Sequence, residues 1–122
     1  MTTTALDAQA LSTLAVKALQ EVKGKHIIKM DLRQSDGAVT DFFVICTGTS
    51  DTHVKALSES VLKIMKTEAG EYPHAKEGLQ AGEWILVDYV NVVVHIFQRE
   101  KREFFRLESL WGDAQTEVYE DF

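Results

Sequence analysis

The turn Gly48-Thr49-Ser50 is the stretch of the sequence whose residue types could do chemistry. Such a turn ahead of a helix can hold a phosphate, because free amide N–H groups and the helix dipole favour an anion. Nucleotide transfer also needs two neighbouring carboxylates that hold a divalent metal against the phosphates. Asp31 is followed at the second position by Arg33, and Asp88 by Val90, so the predicted strands supply no such pair. The residues therefore favour a tight turn and a helix cap over a nucleotide-transfer site.

Histidine or metal chemistry finds little support in the spacing of the titratable side chains. His95 lies in an apolar strand and His53 in the first turn of a helix, and neither has a partner at a spacing that indicates a triad. The four histidines and Cys46 show no short ligand spacing. We interpret His95 as a hydrogen-bonded packing residue and Cys46 as a small core residue, and we predict no catalytic residue, metal or cofactor.

Two aromatic residues, Trp84 and Tyr89, bracket an apolar run and are residue types that anchor protein interfaces. Asp88 lies between them and could meet a Lys or Arg of a partner. Strict alternation places two sets of residues on opposite faces of the strand: Trp84, Leu86 and Asp88 on one face, and Ile85, Val87 and Tyr89 on the other. The pattern alone leaves open whether each aromatic residue belongs to the core or to an interface.

The elements that position these residues begin with a hairpin. Two β-branched runs flank the break Asp88-Tyr89-Val90-Asn91, in which Asn91 can adopt a left-handed conformation and form a tight turn. After the hairpin the period changes. Phe104, Leu107 and Trp111 recur at helical spacing and predict one amphipathic C-terminal helix that folds back over the sheet.

The rest of the chain alternates helices and strands. Helical periodicity predicts a helix over residues 6–23, with Thr4 and Asp7 as a capping box, and a second helix that starts at Thr49, Ser50 or Asp51 and ends at Gly70. Strands are predicted at residues 26–32 and 41–47, with a short edge strand at 72–75. The order indicates an α/β fold, with a mixed sheet of four to five strands and packed helices.

Length and composition place the chain among ordinary globular proteins. A chain of 122 residues with 45% hydrophobic and 26% charged residues forms one domain, 1–122. The longest apolar runs are too short for a membrane span, the N-terminus lacks the pattern of a signal peptide, and a single cysteine suits a reducing compartment. We therefore expect a cytoplasmic protein that does not associate with membranes.

The net charge of −6 is concentrated at the C-terminus. The last sixteen residues have no Lys or Arg and carry five carboxylates, those of Glu108, Asp113, Glu117, Glu120 and Asp121. A protein that grips nucleic acid directly needs a basic face, and the sequence supplies none. We expect that the protein does not bind nucleic acid directly. The acidic tail at about 113–122 is either a solvated end or a surface that suits a basic protein partner.

Several motifs, taken in their order and spacing, resemble the ribosomal silencing factor family, also called RsfS or Iojap. The resemblance covers roughly residues 11–112. It rests on Thr40-Asp41-Phe42-Phe43-Val44-Ile45-Cys46-Thr47-Gly48-Thr49-Ser50, Glu77-Gly78, Trp84-Ile85-Leu86-Val87-Asp88, Val92-Val93-Val94-His95-Ile96-Phe97 and Arg102-Glu103-Phe104-Phe105-Arg106-Leu107-Glu108-Ser109-Leu110-Trp111. At the hairpin tip the family usually has Gly-Asp or Gly-Asn, where this chain has Val90-Asn91.

The resemblance implies a nucleotidyltransferase-like topology, in which Gly48, Thr49 and Ser50 would be a vestigial phosphate turn. It also implies a translation repressor that binds ribosomal protein fourteen of the large ribosomal subunit and blocks joining of the small subunit. The expected contact residues are Trp84, Asp88, Tyr89 and Val90. The alternative is a nucleotide-binding enzyme, or its remnant, of nucleotidyltransferase type, which binding of a nucleoside triphosphate with a divalent metal would favour. Whether the free chain is a monomer or a homodimer stays open.

Overall fold

The fold is taken from a computed structural model that describes residues 6–121. Its elements, in chain order, are α1 (Ala8–Glu21), β1 (Lys25–Asp31), β2 (Phe42–Gly48), α2 (Asp51–Ala69), β3 (Ala75–Glu77), β4 (Trp84–Asp88), β5 (Val92–Gln98), α3 (Arg99–Phe105), α4 (Leu107–Leu110) and β6 (Gln115–Val118). The predicted α/β class is confirmed. The described residues form six strands rather than four or five, because part of the acidic tail adds β6 to the sheet.

The strands form one mixed sheet in the order β3-β4-β5-β2-β1-β6. β2 and β5 are parallel neighbours, and the other neighbouring pairs are antiparallel. The chain leaves β2 through α2 and returns through β3 and β4 to β5, which is the crossover that a parallel pair requires. All seven residues of β2 are buried, as its run of apolar residues without alternation predicts.

The two faces of the sheet are covered differently. α1 and α2 pack on one face and, with β2, β4 and β5, enclose the larger core, which includes Leu19, Leu57 and Ile96. The opposite face holds a smaller core that includes Phe43, Ile45 and Phe97. Partly buried residues from α4 and the segment after it pack against this second core, namely Leu107, Trp111 and Ala114.

The ends of α1 and α2 follow local sequence signals. Asp7 caps α1 by accepting a hydrogen bond from the Ala10 amide at 2.8 Å, while Thr4, its predicted partner, lies outside the described residues. α2 ends at Gly70, whose φ of 65° is left-handed. No helix in the part of the chain that the structure describes is long and apolar enough to cross a membrane.

Three sequence-based expectations about local structure were wrong. The predicted C-terminal helix is broken at Arg106, whose φ of 49° separates α3 from α4, so Phe104 is 79% exposed instead of lying on a core-facing stripe. The edge strand runs over Ala75–Glu77 rather than residues 72–75, since it pairs with β4 over those residues. In the hairpin tip the left-handed residue is Val90 and not Asn91.

Candidate functional site

The β4–β5 hairpin carries the predicted contact residues, and its faces follow the predicted alternation. Ile85 and Val87 are fully buried beneath the helices, and Tyr89 continues the same row. Trp84 and Leu86 are half-buried on the opposite face, beside the smaller core. The hairpin therefore presents one row of side chains to the helices. The other row lies on the opposite face of the sheet, which holds the smaller core and is called here the thinly covered face.

Trp84 is the centre of an aromatic cluster on that thinly covered face. Its indole stacks on Phe97 with ring centroids 4.9 Å apart, and it contacts Phe105 of α3 at 4.5 Å. Its Nε1–H donates to Nδ1 of His95 at 3.1 Å. Trp84 is therefore packed in this cluster although it is only half-buried, and its contact with a partner stays a prediction.

His95 accepts the Trp84 hydrogen bond through Nδ1, so the neutral ring carries its proton on Nε2. The ring lies 4.7 Å from Phe43 in an edge-to-face arrangement, and its Nε2 has no partner in the described part of the chain. Burial lowers the pKa of His95 to about 4, although the charge of Asp88 opposes the shift. His95 is therefore a hydrogen-bonded packing residue, as predicted.

Tyr89 occupies the helix-covered face and is 7% exposed. Its hydroxyl has no hydrogen-bond partner among the described residues, and burial, followed by the charge of Glu71, raises the pKa of Tyr89 to about 12. Little of this side chain reaches the surface. The side chain instead belongs to the larger core on the helix-covered face.

The hairpin tip is built around a strained residue. The Asn91 amide donates to the Tyr89 carbonyl at 2.9 Å across Val90, whose φ is 74°. This is a three-residue turn that β-branched side chains rarely adopt. The Oδ1 of Asp88 accepts from the Val90 amide at 2.7 Å, and Thr40 donates its hydroxyl proton to the Val90 carbonyl at 2.8 Å. These bonds hold the Val90 side chain outward, where it is 56% exposed.

Gly48, Thr49 and Ser50 lie at the carboxyl end of β2, where α2 begins. Ser50 is the N-cap of α2, and its hydroxyl accepts from the His53 amide at 3.0 Å. The Thr49 amide donates to Nδ1 of His53 at 2.9 Å. A Cβ at Gly48 would lie 2.6 Å from Cγ2 of Val54, so glycine is needed for α2 to approach the strand. Capping and close packing thus account for all three residues.

Arg102, for which no role was predicted from the sequence, ties the C-terminal helices to the sheet. Arg102 donates to the His26 carbonyl at 2.5 Å and to the Thr47 hydroxyl at 2.8 Å, while its Nε donates to Glu108 at 2.7 Å. It lines a crevice of about 900 Å³ beside the carboxyl end of β2. An Arg within a charged run gives no signal for this role, because its partners come from three other elements.

The described residues contain no group of three or more His, Cys, Asp or Glu side chains that could hold a metal ion. Cys46 is buried in the larger core, and burial raises the pKa of its thiol to about 12, which disfavours the reactive thiolate. The hairpin instead offers the half-buried ring of Trp84 and one carboxylate, that of Asp88.

Comparisons with known proteins agree on one family. The family model described as "Ribosomal silencing factor during starvation" matches residues 5–122. A ribosomal silencing factor of Chromobacterium violaceum is 40% identical over 110 residues, which cover 88% of this chain and 86% of that protein. A crystal structure of a protein from the same organism superposes with a TM-score of 0.83 at 39% identity and covers 88% of both chains. A mouse protein named for mitochondrial assembly of the ribosomal large subunit is 39% identical over 74 residues, which cover 59% of this chain and 32% of that protein.

Proposed function

Since the chain belongs to the ribosomal silencing factor family, we propose that it represses translation by binding ribosomal protein fourteen of the large ribosomal subunit and blocking joining of the small subunit. The match of the family model to residues 5–122 is the observation that carries this proposal. The family supports a ribosome-associated role in silencing translation, and its members are named as factors rather than as enzymes. The named ribosomal protein, the steric block and action in the cytoplasm belong to the proposal.

The β4–β5 hairpin is the proposed docking surface. Trp84 offers a rigid, partly accessible ring, and Val90 projects from the tip. Asp88 is half-buried, so its second carboxylate oxygen can accept from a Lys or Arg while Oδ1 holds the turn. Tyr89 supports the tip from beneath. The proposal also includes pairing of the free chain with a second copy through α3 and α4, where Phe104 and Leu110 are 79% and 70% exposed.

Co-sedimentation with separated ribosomal subunits on sucrose gradients tests the proposal. The chain should sediment with large subunits and reduce their joining to small subunits. Sedimentation with neither subunit would refute it.

Trp84 and Asp88 give the site-specific test. Trp84→Ala should weaken binding to large subunits by about 2–4 kcal/mol, roughly 30-fold to several hundredfold, as aromatic hot spots do. It should also lower the melting temperature, because the stack on Phe97 is lost, so binding must be corrected for the folded fraction. Asp88→Asn keeps the Oδ1 acceptor of the turn and removes the charge, and should weaken binding about tenfold at unchanged stability. Glu68→Gln on α2 is the matched charge control. Normal binding by both hairpin variants would exclude the hairpin as the docking surface.

A further inference from the structure

β6 is an edge strand whose outer side is open. It pairs with β1 on one side, and on the other side no strand formed by residues 6–121 lies beside it. All four of its residues are exposed, and Val118 has 78% of its surface accessible. A strand edge with unpaired N–H and C=O groups is a template for a further strand.

The hydrogen-bond register identifies which groups are free. The Tyr119 amide donates to the Ile27 carbonyl at 3.0 Å, and the same register pairs Glu117 with Lys29. Antiparallel pairs alternate between bonded and non-bonded positions, so Glu117 faces β1 while Thr116 and Val118 direct their N–H and C=O groups outward. Within the described residues nothing bonds to these outward backbone groups. Two residues thus offer four backbone groups in the geometry of a strand.

The charge around β6 selects the occupant. Carboxylates precede, occupy and follow the strand, at Asp113, Glu117, Glu120 and Asp121, and the chain has no Lys or Arg after Arg106. Two carboxylates are partly engaged: Glu117 lies 3.9 Å from the Lys29 ammonium, and Asp121 accepts from the His26 amide at 2.8 Å. The excess charge repels a second copy of the same edge and attracts a cationic strand, because opposite charges across neighbouring strands are favourable.

The opposite edge of the sheet is a poorer template. β3 has three residues, carries both Lys76 and Glu77, and directly follows the segment with Pro73. A short strand with both charges favours neither a cationic nor an anionic partner.

We propose that β6 accepts an extended, lysine- and arginine-rich segment of a partner protein as a further strand of the sheet. The main chain of the segment bonds to Thr116 and Val118, and its cationic side chains lie near Glu117 and the carboxylates that flank the strand. The inference rests on the proposed function in one respect, since it assigns the segment to a protein of the large ribosomal subunit.

Amide hydrogen exchange with a synthetic probe tests the pairing. The probe is the blocked octapeptide Lys-Thr-Lys-Val-Lys-Thr-Lys-Val. Its control is the same peptide with every internal amide N-methylated, which keeps the charge, removes the N–H donors and blocks the approach of a neighbouring strand by the bulk of the methyl groups. The probe should slow exchange of the Thr116 and Val118 amides at least about tenfold and leave the Glu117 amide, already bonded to β1, unchanged. No slowing, or equal slowing by the N-methylated control, would overturn the proposal. Slowing that grows with protein concentration in the absence of peptide would assign the edge to a second copy and would also overturn it.

A proline substitution tests the same edge in the full chain. Val118→Pro removes an outward amide and leaves the Glu117 and Tyr119 bonds to β1 intact, while Val118→Ala is the matched control that keeps the amide. Val118→Pro should lose at least about tenfold in affinity for the probe and for large subunits, and Val118→Ala should stay within about threefold of the wild type. Continued protection of the Tyr119 amide verifies that β6 has formed, and Thr116→Pro replaces Val118→Pro if it has not.

The outcomes separate the two proposals. If a folded Val118→Pro variant binds large subunits as tightly as the wild type does, the β6 edge has no role in that binding, and the proposed function still stands. Failure of the wild-type chain to bind large subunits defeats the proposed function and removes the assignment of the segment to that subunit. The exchange experiment then decides the strand addition by itself.

Discussion

At the scale of single residues, Val90 shows how the hairpin tip holds an unfavourable conformation. A β-branched residue with a φ of 74° is strained, and such strain costs on the order of 1–3 kcal/mol. Bonds from Asp88 and Thr40 hold the backbone in place. Glycine adopts a positive φ without a steric penalty.

We expect Val90→Gly to raise the free energy of unfolding by about 1 kcal/mol, because relief of strain exceeds the added flexibility of the unfolded chain. Urea unfolding measures the change. Val39→Gly is the control, since Val39 is also exposed but has no positive φ, and it should leave stability unchanged or slightly lower. A less stable Val90→Gly variant would show that the tip is unstrained.

His95 makes stability depend on pH. Its pKa falls from the ordinary 6.5 to about 4 on folding, so between these values the unfolded chain binds more protons than the folded one. The contribution of neutral His95 to the stability of the folded state is therefore complete above about pH 6.5 and is lost as the pH falls toward 4. The loss should approach about 3 kcal/mol, since one pKa unit corresponds to 1.36 kcal/mol.

Urea unfolding at pH 7, 6, 5 and 4 should show this decline in the wild type, and NMR should place the His95 titration near pH 4. In His95→Gln the decline between pH 6.5 and 4 should be smaller, and the remaining slope then belongs to carboxylates. Equal slopes in the two proteins would remove His95 as the cause.

At the scale of elements, the start of α2 shows how a turn that suits phosphate binding can serve structure alone. Ser50 caps the helix, the Thr49 amide is bonded to His53, and Gly48 lets the helix approach the strand. Nε2 of His53 in turn bonds to the Val22 carbonyl at 2.7 Å, which links α2 to the end of α1. The amide of Thr49 is therefore occupied by a side chain of the chain itself.

Ser50→Ala should lower the free energy of unfolding by about 1 kcal/mol, the ordinary cost of losing an N-cap. Thr52→Ala, at the exposed neighbouring position, is the control and should be nearly neutral. Incubation with labelled nucleoside triphosphates and magnesium should transfer no label with the wild type or with Ser50→Ala. Metal-dependent transfer that Ser50→Ala abolishes would instead establish the enzyme alternative.

At the scale of the whole molecule, the negative charge is concentrated at the C-terminus, while the rest of the chain is nearly neutral. Most of the net charge of −6 lies in the last sixteen residues, and part of them forms β6 at the edge of the sheet, beside β1. The thinly covered face with Trp84 lies on the same sheet, with β5 and β2 between β4 and β1. One sheet thus presents both an aromatic surface and an acidic edge.

Association with large subunits should slow as salt is added, because the screening length falls from about 10 Å at 0.1 M to about 3 Å at 1 M. The on-rate should fall by more than the off-rate changes, as measured by stopped-flow mixing at several salt concentrations. Glu117→Gln should reduce the slope of this dependence. A salt-independent on-rate would exclude electrostatic steering.

The sequence by itself determined the features that depend on local backbone geometry. Alternation assigned Ile85 and Val87 to one face and Trp84 to the other, since successive residues of a strand point to opposite sides. The start of α2 was limited to Thr49, Ser50 or Asp51 and its end to Gly70, because capping and left-handed termination involve neighbouring residues; the structure places the cap at Ser50. The crossover and the apolar pattern of β2 were enough for a mixed α/β sheet.

Only the tertiary structure decided the features that depend on contacts between distant segments. The burial of Tyr89 depends on how the helices pack on the sheet, and β6 forms because β1 offers it an edge. The helical spacing of apolar residues does not predict the break at Arg106. With this break Phe104 faces outward and Arg102 binds the sheet. Periodicity records which side a residue faces, but what covers that side is fixed by the packing of elements that are remote in sequence.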